Sequence, residues 1–443
     1  MDKLFSNRDL KRLIIPIIIE QFLVMSVGLA DVLMISRAGE SAVSGVSLVD
    51  NINVLLINIF TALATGGAVI ASQYIGKKDK EKACTTANQL ILISIAISTL
   101  IMVISLIGNR VILSTIFGNV ESSILENAQV YFLLSALSYP FLSIFNSCAG
   151  LFRSMGNSKV PLITSTFMNV LNVFGNAIFI FGFNMGVTGV GIASLISRVM
   201  ASIVIFILLR KPELDIHIKK KFSFKFDLTM VKQILNIGIP NSLENSMFQT
   251  GKLMVLSLVS TFGTSAIAAN AVSSKVAGMA ILPGLATGIA LITIVGQCVG
   301  ADDYEQATYY TKKLLKVSFV VLGLLNIFII IFAPFIVMLF DLTQQTAVMT
   351  TQIIRYHSLC CILIWPLSFT LPSTFRAAGD VRFPMVIAIV SMWTFRIGFS
   401  YVLGSYLGLG VFGIWIAMTI DWLFRSLCFV IRFISGSWKT KAT

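Results

Sequence analysis

At 443 residues, 56% of them hydrophobic and only 12% charged, the chain has too little polar surface to cover a soluble globule of its size, which excludes a soluble protein and marks an integral membrane one. Its net charge of +13 sits in short clusters between apolar stretches, a placement that records membrane topology and argues against a nucleic-acid partner. In chain order, the short charged segment Met1 to Arg12 precedes a first span that lacks a small-residue cleavage site, so this span is expected to stay in the mature protein. It carries Pro16, Glu20 and Asp31. A second span, weakened near Asn53, runs to Gln73 and Gly76 and the charged run Lys77 to Lys82. Leu90 to Ile107 is long enough to cross a hydrocarbon core of about 30 Å. A fourth span, interrupted near Asn146, leads to Arg153 and Gly156; a fifth bears Asn172 and Asn176; a sixth bears Arg198.

The polar stretch 210–232 follows, with Lys219-Lys220-Lys221 and the alternation Phe222 to Phe226 placed to lie along the cytoplasmic interface. The seventh span holds Glu244, Gln249 and Lys252, and the eighth Lys275. Phe319 to Ile336, a stretch weakened near Trp365, Met385 to Ser400 with Arg396, and a last span with Asp421 and Arg425 complete twelve spans, six in each half. The six cysteines show no zinc-like spacing, and neither a structural disulfide nor a metal site is expected from them.

The two halves repeat each other at an offset of about 224 residues. Ile14-Ile15-Pro16 with Glu20 returns as Gly238-Ile239-Pro240 with Glu244. The Gln73-x-x-Gly76 segment with its charges returns at Gln297 to Ala307, and Gly186 to Ala193 returns as Gly410 to Ala417. Phe152-Arg153 to Gly156, with Pro161, returns as Phe375-Arg376 to Gly379, with Pro384, one residue out of step. Glycine is expected to close a helix in the Gln-x-x-Gly segments, and the acids to favour the start of the next.

Six crossings per half is an even number, so both halves enter the membrane in the same sense, as parallel repeats with a site expected between them. The expected architecture is an all-α integral membrane protein with twelve transmembrane helices in two six-helix lobes related by a parallel internal repeat. Residues 1–209 form the N-terminal lobe, 210–232 a cytoplasmic linker and 233–443 the C-terminal lobe. Most of the basic residues fall on one side: Lys3 to Arg12, Lys77 to Lys82, Arg153 and Lys159, Arg210 to Lys232, Lys312 to Lys316, Arg376 and Arg382, and Arg432 to Lys441. Outside loops hold little beyond Arg37 and Arg110, which places both termini in the cytoplasm and makes anionic lipid the natural contact of the basic side.

Charged groups within spans are costly and mark candidate sites. Asn172 and Asn176, four residues apart, share a helical face. With Asp31 they offer oxygens for Na+, and a desolvated carboxylate there could instead take up a proton. The alternative is a solvated Asp31 at the end of its span and asparagines that bond neighbouring helices. In the second half Glu244, Gln249, Lys252, Lys275 and Arg396 form a candidate polar site, and Asp421 with Arg425, one turn apart, an internal ion pair. Glu20 and Glu244 each lie one turn after a matching proline, so Pro16 and Glu20 are candidates for a gate or a packing interface.

Together these residues resemble the multidrug and toxic compound extrusion (MATE) family: Pro16 with Asp31, Gln73-Tyr74 with Gly76, Arg153 to Ser158 with Pro161, Asn172 and Asn176 running into Phe181-Gly182, and their echoes in the second half. The resemblance covers about Leu10 to Arg432. It implies a V-shaped pair of lobes and secondary active antiport, with export of organic, often cationic and aromatic compounds in exchange for H+ or Na+. It also implies that Asp31 matches the family's first-helix aspartate, and Asn172 and Asn176 the polar pair of its fifth helix. Some members carry an aspartate at the position of Asn176, a departure that leaves Na+ coordination open here. The expected partners are small-molecule organic substrates and membrane lipids, with no nucleic acid and no cofactor beyond the coupling ion. The protein is expected to act as a monomer in the bacterial inner membrane. The rival reading is a flippase for a lipid-linked saccharide, for which Lys252, Lys275 and Arg396 would supply a cationic cavity.

Overall fold

The computed structural model describes residues 3–118, 121–218 and 224–440. Lys219-Lys220-Lys221 and Phe222-Ser223, with the interfacial role expected of them, fall outside the described residues. The described chain is almost wholly helical, as it must be where no water is present to satisfy backbone groups. The first half comprises α1 (Asn7–Ile35), α2 (Glu40–Gly76), α3 (Lys80–Phe117), α4 (Ser122–Ser154), α5 (Lys159–Asn176) and α6 (Gly186–Leu209). The second comprises α7 (Leu228–Ser260), α8 (Thr264–Ala280), α9 (Leu282–Gly300), α10 (Tyr304–Met338), α11 (Gln344–Trp365), α12 (Pro372–Ala377), α13 (Arg382–Ser391) and α14 (Gly410–Ser435).

Eleven helices among the described residues are long and apolar enough to cross a membrane. The seventh span of the sequence, α7, is the twelfth crossing; its polar stretch from Glu244 to Lys252 keeps it out of that set. Pro283 opens α9 just after a break at Ile281, while α11 runs through a π segment, Pro366–Thr370, into α12.

The repeat is visible in the punctuation. Left-handed backbone recurs at Gly39 and Gly263 (φ 102° and 93°), at Gly156 and Gly379 (75° and 84°) and at Gly186 and Gly410 (52° and 55°). Asp79 and Asp303 cap α3 and α10, accepting from the N–H of Lys82 at 3.0 Å and of Gln306 at 2.9 Å. Helices α2 and α9 do end at Gly76 and Gly300, but the left-handed residues of these turns are Lys78 and Asp302, two positions later (φ 59° and 56°). The capping acid fixes the turn, so glycine is not needed at its strained position.

A π segment, Ala177–Gly182, continues α5 and recurs as Tyr401–Tyr406. The second half has two more, Pro366–Thr370 after α11 and Met392–Gly398 directly after α13. A π turn holds one residue more than an α turn. The segment at Met392–Gly398 lies where the repeat returns to step: before it Pro161 and Pro384 are one residue out of register, and after it Gly186 and Gly410 are back in it.

The chain divides into two compact units, Phe5–Ser242 and the residues from Leu243 onward, with Leu4 joined to the second through its N–H bond to Gln306 at 2.8 Å. The division falls inside α7, because the start of α7 packs on the first unit. A Cβ on Gly66 of α2 would meet the carbonyl of Ile234 at 2.6 Å, so only glycine permits that approach. The segment before α7 is also tied down. Gln89 of α3 donates to the carbonyl of Lys225 at 2.9 Å and accepts from the N–H of Asp227 at 3.1 Å, while Ile216 and Ile218 are buried. In the first unit α4 packs against α2, α3 and α6, and α1 lies chiefly on α5; in the second α10 packs against α9 and α11, and α14 against α11 and the π segments.

Candidate functional site

In the first unit the structure brings together the three residues predicted for cation coupling. Asn176 of α5 donates from Nδ2 to Asp31 Oδ1 of α1 at 2.7 Å, and weakly to Asn172 Oδ1 at 3.4 Å. Asn172 in turn donates to the Ser194 hydroxyl of α6 at 3.1 Å. Both asparagines are buried, and Asn176 Oδ1 has no hydrogen-bond partner among the described residues. A buried acceptor without a donor costs about 1–3 kcal/mol, and this one stands beside a carboxylate.

Sequence reasoning missed several neighbours. Asp50 of α2 accepts from Asn53 and from the Tyr131 hydroxyl, each at 3.3 Å, and Tyr139 donates to Asn53 Oδ1 at 2.8 Å. Arg198 of α6, which the sequence did mark as a charge within its span, donates to the Ser138 hydroxyl at 2.7 Å. Asp50 and Arg198 both lie within electrostatic reach of Asp31. The available signal was an acid in an apolar span one turn before a buried asparagine.

Glu20 and Glu244 have a different task. The Arg153 guanidinium grips both oxygens of Glu20 at 2.7 and 2.8 Å, and Arg376 grips Glu244 at 2.7 and 2.8 Å. Each pair fastens the first helix of its half to the end of the fourth span, and the four residues occupy matching places in the repeat. Glu244, placed by the sequence in a second-half polar site, is thus held by Arg376 and does not line the pocket that contains Lys252 and Arg396. Pro16 lies one turn before Glu20 and interrupts the backbone ladder of α1, which is otherwise continuous. Glu20→Gln and Glu244→Gln should each lower stability by about 1–3 kcal/mol, read by thermal unfolding of the solubilised protein. Unequal losses would show that the two staples are not equivalent.

Among the other second-half candidates, the structure brings Lys252 and Arg396 to one pocket of about 230 Å³, which Asn270, Ser274 and Trp415 also line. Gln249 and Lys275 do not line it. Asp421 and Arg425 pair as expected, Nε to Oδ1 at 2.9 Å, with Asp421 wholly buried. Arg396 approaches the same carboxylate at 3.7 Å, and the Ser391 hydroxyl donates to it.

Comparison with known proteins places this geometry in context. The MatE family model matches residues 16–178 and again 240–402, so each match begins at a proline of the repeat. A probable multidrug resistance protein NorM of Thermotoga maritima is 25% identical over 98% of this chain and 94% of its own length. An uncharacterized transporter YisQ of Bacillus subtilis is 28% identical over 99% of this chain and 96% of its own. A crystal structure of MATE in the bent conformation shares the fold with a TM-score of 0.88 at 22% identity, covering 97% of this chain and 94% of that one. A MOP superfamily transporter from Pyrococcus furiosus, for which reverse polarity of the binding pocket suggests a different function, gives 0.89 at 22% identity, covering 97% and 95%.

Proposed function

The chain belongs to the MatE family of multi-pass membrane transporters, and from that premise we propose that it is a secondary active efflux antiporter, exporting organic compounds across the bacterial inner membrane in exchange for inward H+ or Na+. The names of the relatives support efflux, and the clustering of basic residues supports an orientation with both termini in the cytoplasm.

The observation that carries the coupling site is the buried Asn176 Oδ1, without a partner among the described residues, beside the Asp31 carboxylate. Asp31 supplies the charge, and Asn176 and Asn172 supply amide oxygens. That donor set suits Na+, a hard cation that prefers oxygen, and the carboxylate alone suits a proton. Asp31 stands on α1, whose main support is α5, the helix that bears both asparagines. Cation entry therefore changes what fastens the outer part of α1 to α5, and Pro16 gives α1 a place to bend without breaking a further hydrogen bond. For exchange, cation and substrate must favour different states of the protein, since a ligand that binds both states equally shifts nothing.

The test is ethidium efflux from proteoliposomes under an imposed inward Na+ gradient and, separately, an inward H+ gradient. Efflux accelerated by one gradient, and unaffected by the other, identifies the coupling ion. Efflux indifferent to both gradients while ethidium still binds would remove the antiport reading.

A further inference from the structure

The polar cluster of the first unit and the pocket of the second occupy equivalent places in the repeat, with opposite polarity. Stepping about 224 residues forward, Asp31 falls on Val255 and Asp50 on Ser274, while Asn172 falls at Phe395 and Arg396, within the turn where the step changes by one; Val255, Ser274 and Arg396 all line the pocket. Neutral side chains stand in place of two acids, and a guanidinium joins the lining beside the place of an amide. Lys252, which adds a second cation to the lining, stands where the first half has Gly28.

The polar groups that face this pocket are donors. Lys252 and Arg396 carry N–H groups only, and Ser274 offers a hydroxyl. Asn270 accepts from the Trp415 indole N–H at 3.1 Å, which commits its oxygen and leaves its NH2 for the pocket. Anionic compensation is meagre. Among the described residues Lys252 has no carboxylate in salt-bridge contact, while Asp421 is shared between Arg396 and Arg425 and does not line the pocket. The Phe248 ring lies 4.8 Å from Lys252 Nζ and 5.1 Å from Arg396 Cζ, and a ring face is a weak substitute for an anion. Under-compensated cations within a membrane span mark a ligand site, because holding them there without a counter-charge is costly. Trp415, Ile414 and Met418 supply an apolar wall. At about 230 Å³ the pocket is smaller than the roughly 300–1,000 Å³ of drug sites, so it holds one end of a molecule.

We infer that this pocket is an anion subsite, taking the carboxylate or phosphate end of an amphipathic organic molecule with its adjoining ring or chain against Trp415. It rests on the transporter reading for its place in a transport cycle, and on its own residues for binding.

The experiment titrates the full-length protein in phosphatidylcholine nanodiscs with naphthoate, and with naphthamide and naphthylmethylammonium as neutral and cationic matches, by calorimetry. Naphthoate should bind at least about tenfold more tightly than either match, and Lys252→Met should erase about tenfold of that affinity while leaving naphthamide unchanged. Ser274→Asp, which restores the acid of the first half, should weaken naphthoate and strengthen the ammonium probe, a gain that misfolding cannot imitate. Equal binding of the three probes, a preference for the ammonium, or naphthoate affinity unchanged in both folded variants would overturn the inference. Repeating the titration with phosphatidylglycerol in the nanodisc separates the sources of the anion. Lost naphthoate affinity assigns the pocket to a lipid phosphate, and retained affinity to a soluble acid; either upholds the anion chemistry. Selective naphthoate binding without gradient-driven efflux would sink the antiporter and leave the subsite standing.

Discussion

Asp31→Asn should reduce ion-driven efflux roughly hundredfold, the upper end of a coupling free energy of about 1–3 kcal/mol, while leaving a folded protein in the membrane. The substitution is nearly isosteric, and the new amide oxygen can still accept from Asn176 Nδ2, so the contact between α1 and α5 survives. What goes is the charge. Neither Na+ nor H+ then has an anionic partner on α1 beside Asn172 and Asn176, and the gradient loses its hold on that part of the helix. Efflux under the effective gradient, thermal unfolding and elution volume together check the prediction. A normal efflux rate in the variant would take Asp31 out of the coupling site, whereas a collapsed unfolding temperature would show that it is a structural acid. Asp50, bonded to Asn53 and Tyr131, remains as the neighbouring carboxylate, so comparison with Asp50→Asn tells which of the two acids the ion needs.

The largest effect on stability is expected at Asp421→Leu. This carboxylate is wholly buried and is the shared counter-charge of Arg425 and Arg396. Its removal strands two guanidiniums in an apolar bundle, and breaking a buried pair from one side costs about 3–5 kcal/mol. Asp421→Leu with Arg425→Met should recover the part of that loss due to Arg425, because removing both members of a buried pair is often nearly neutral, while Arg396 stays without its counter-charge. Thermal unfolding of the two single variants and the double variant closes the cycle. Additive losses would show that the pair is not energetically coupled.

The crossing helices and the duplication were legible because apolar length and recurring Pro, Gly and Asp are local signals. The Asp31, Asn172 and Asn176 cluster was legible for a related reason: polar residues in apolar spans stand out, and four-residue spacing places two of them on one face. Asp50 was harder to see, since its span is interrupted by Asn51 and Asn53 and reads there like the approach to a loop. The staples were missed although the repeat retains both members of each. No spacing rule links Glu20 to Arg153, and only the folded arrangement of α1 and the end of α4 brings the two side chains together. Glu244 consequently looked free for a pocket when Arg376 had already claimed it. The contrast in polarity between the first-unit cluster and the second-unit pocket required knowing which residues line the pocket, because the offset by itself pairs every position with some other.

The π turn at Met392–Gly398 also has a history. One codon inserted into a helix rotates everything beyond it by about 100°, a change that ordinarily scrambles a packed face. Here the extra residue is absorbed within a single widened turn, and from Gly410 onward the second copy keeps step with the first. The second copy thus carries a guanidinium in the widened turn, beside the place where the first copy keeps an amide, and the helix that follows stays in step with its twin.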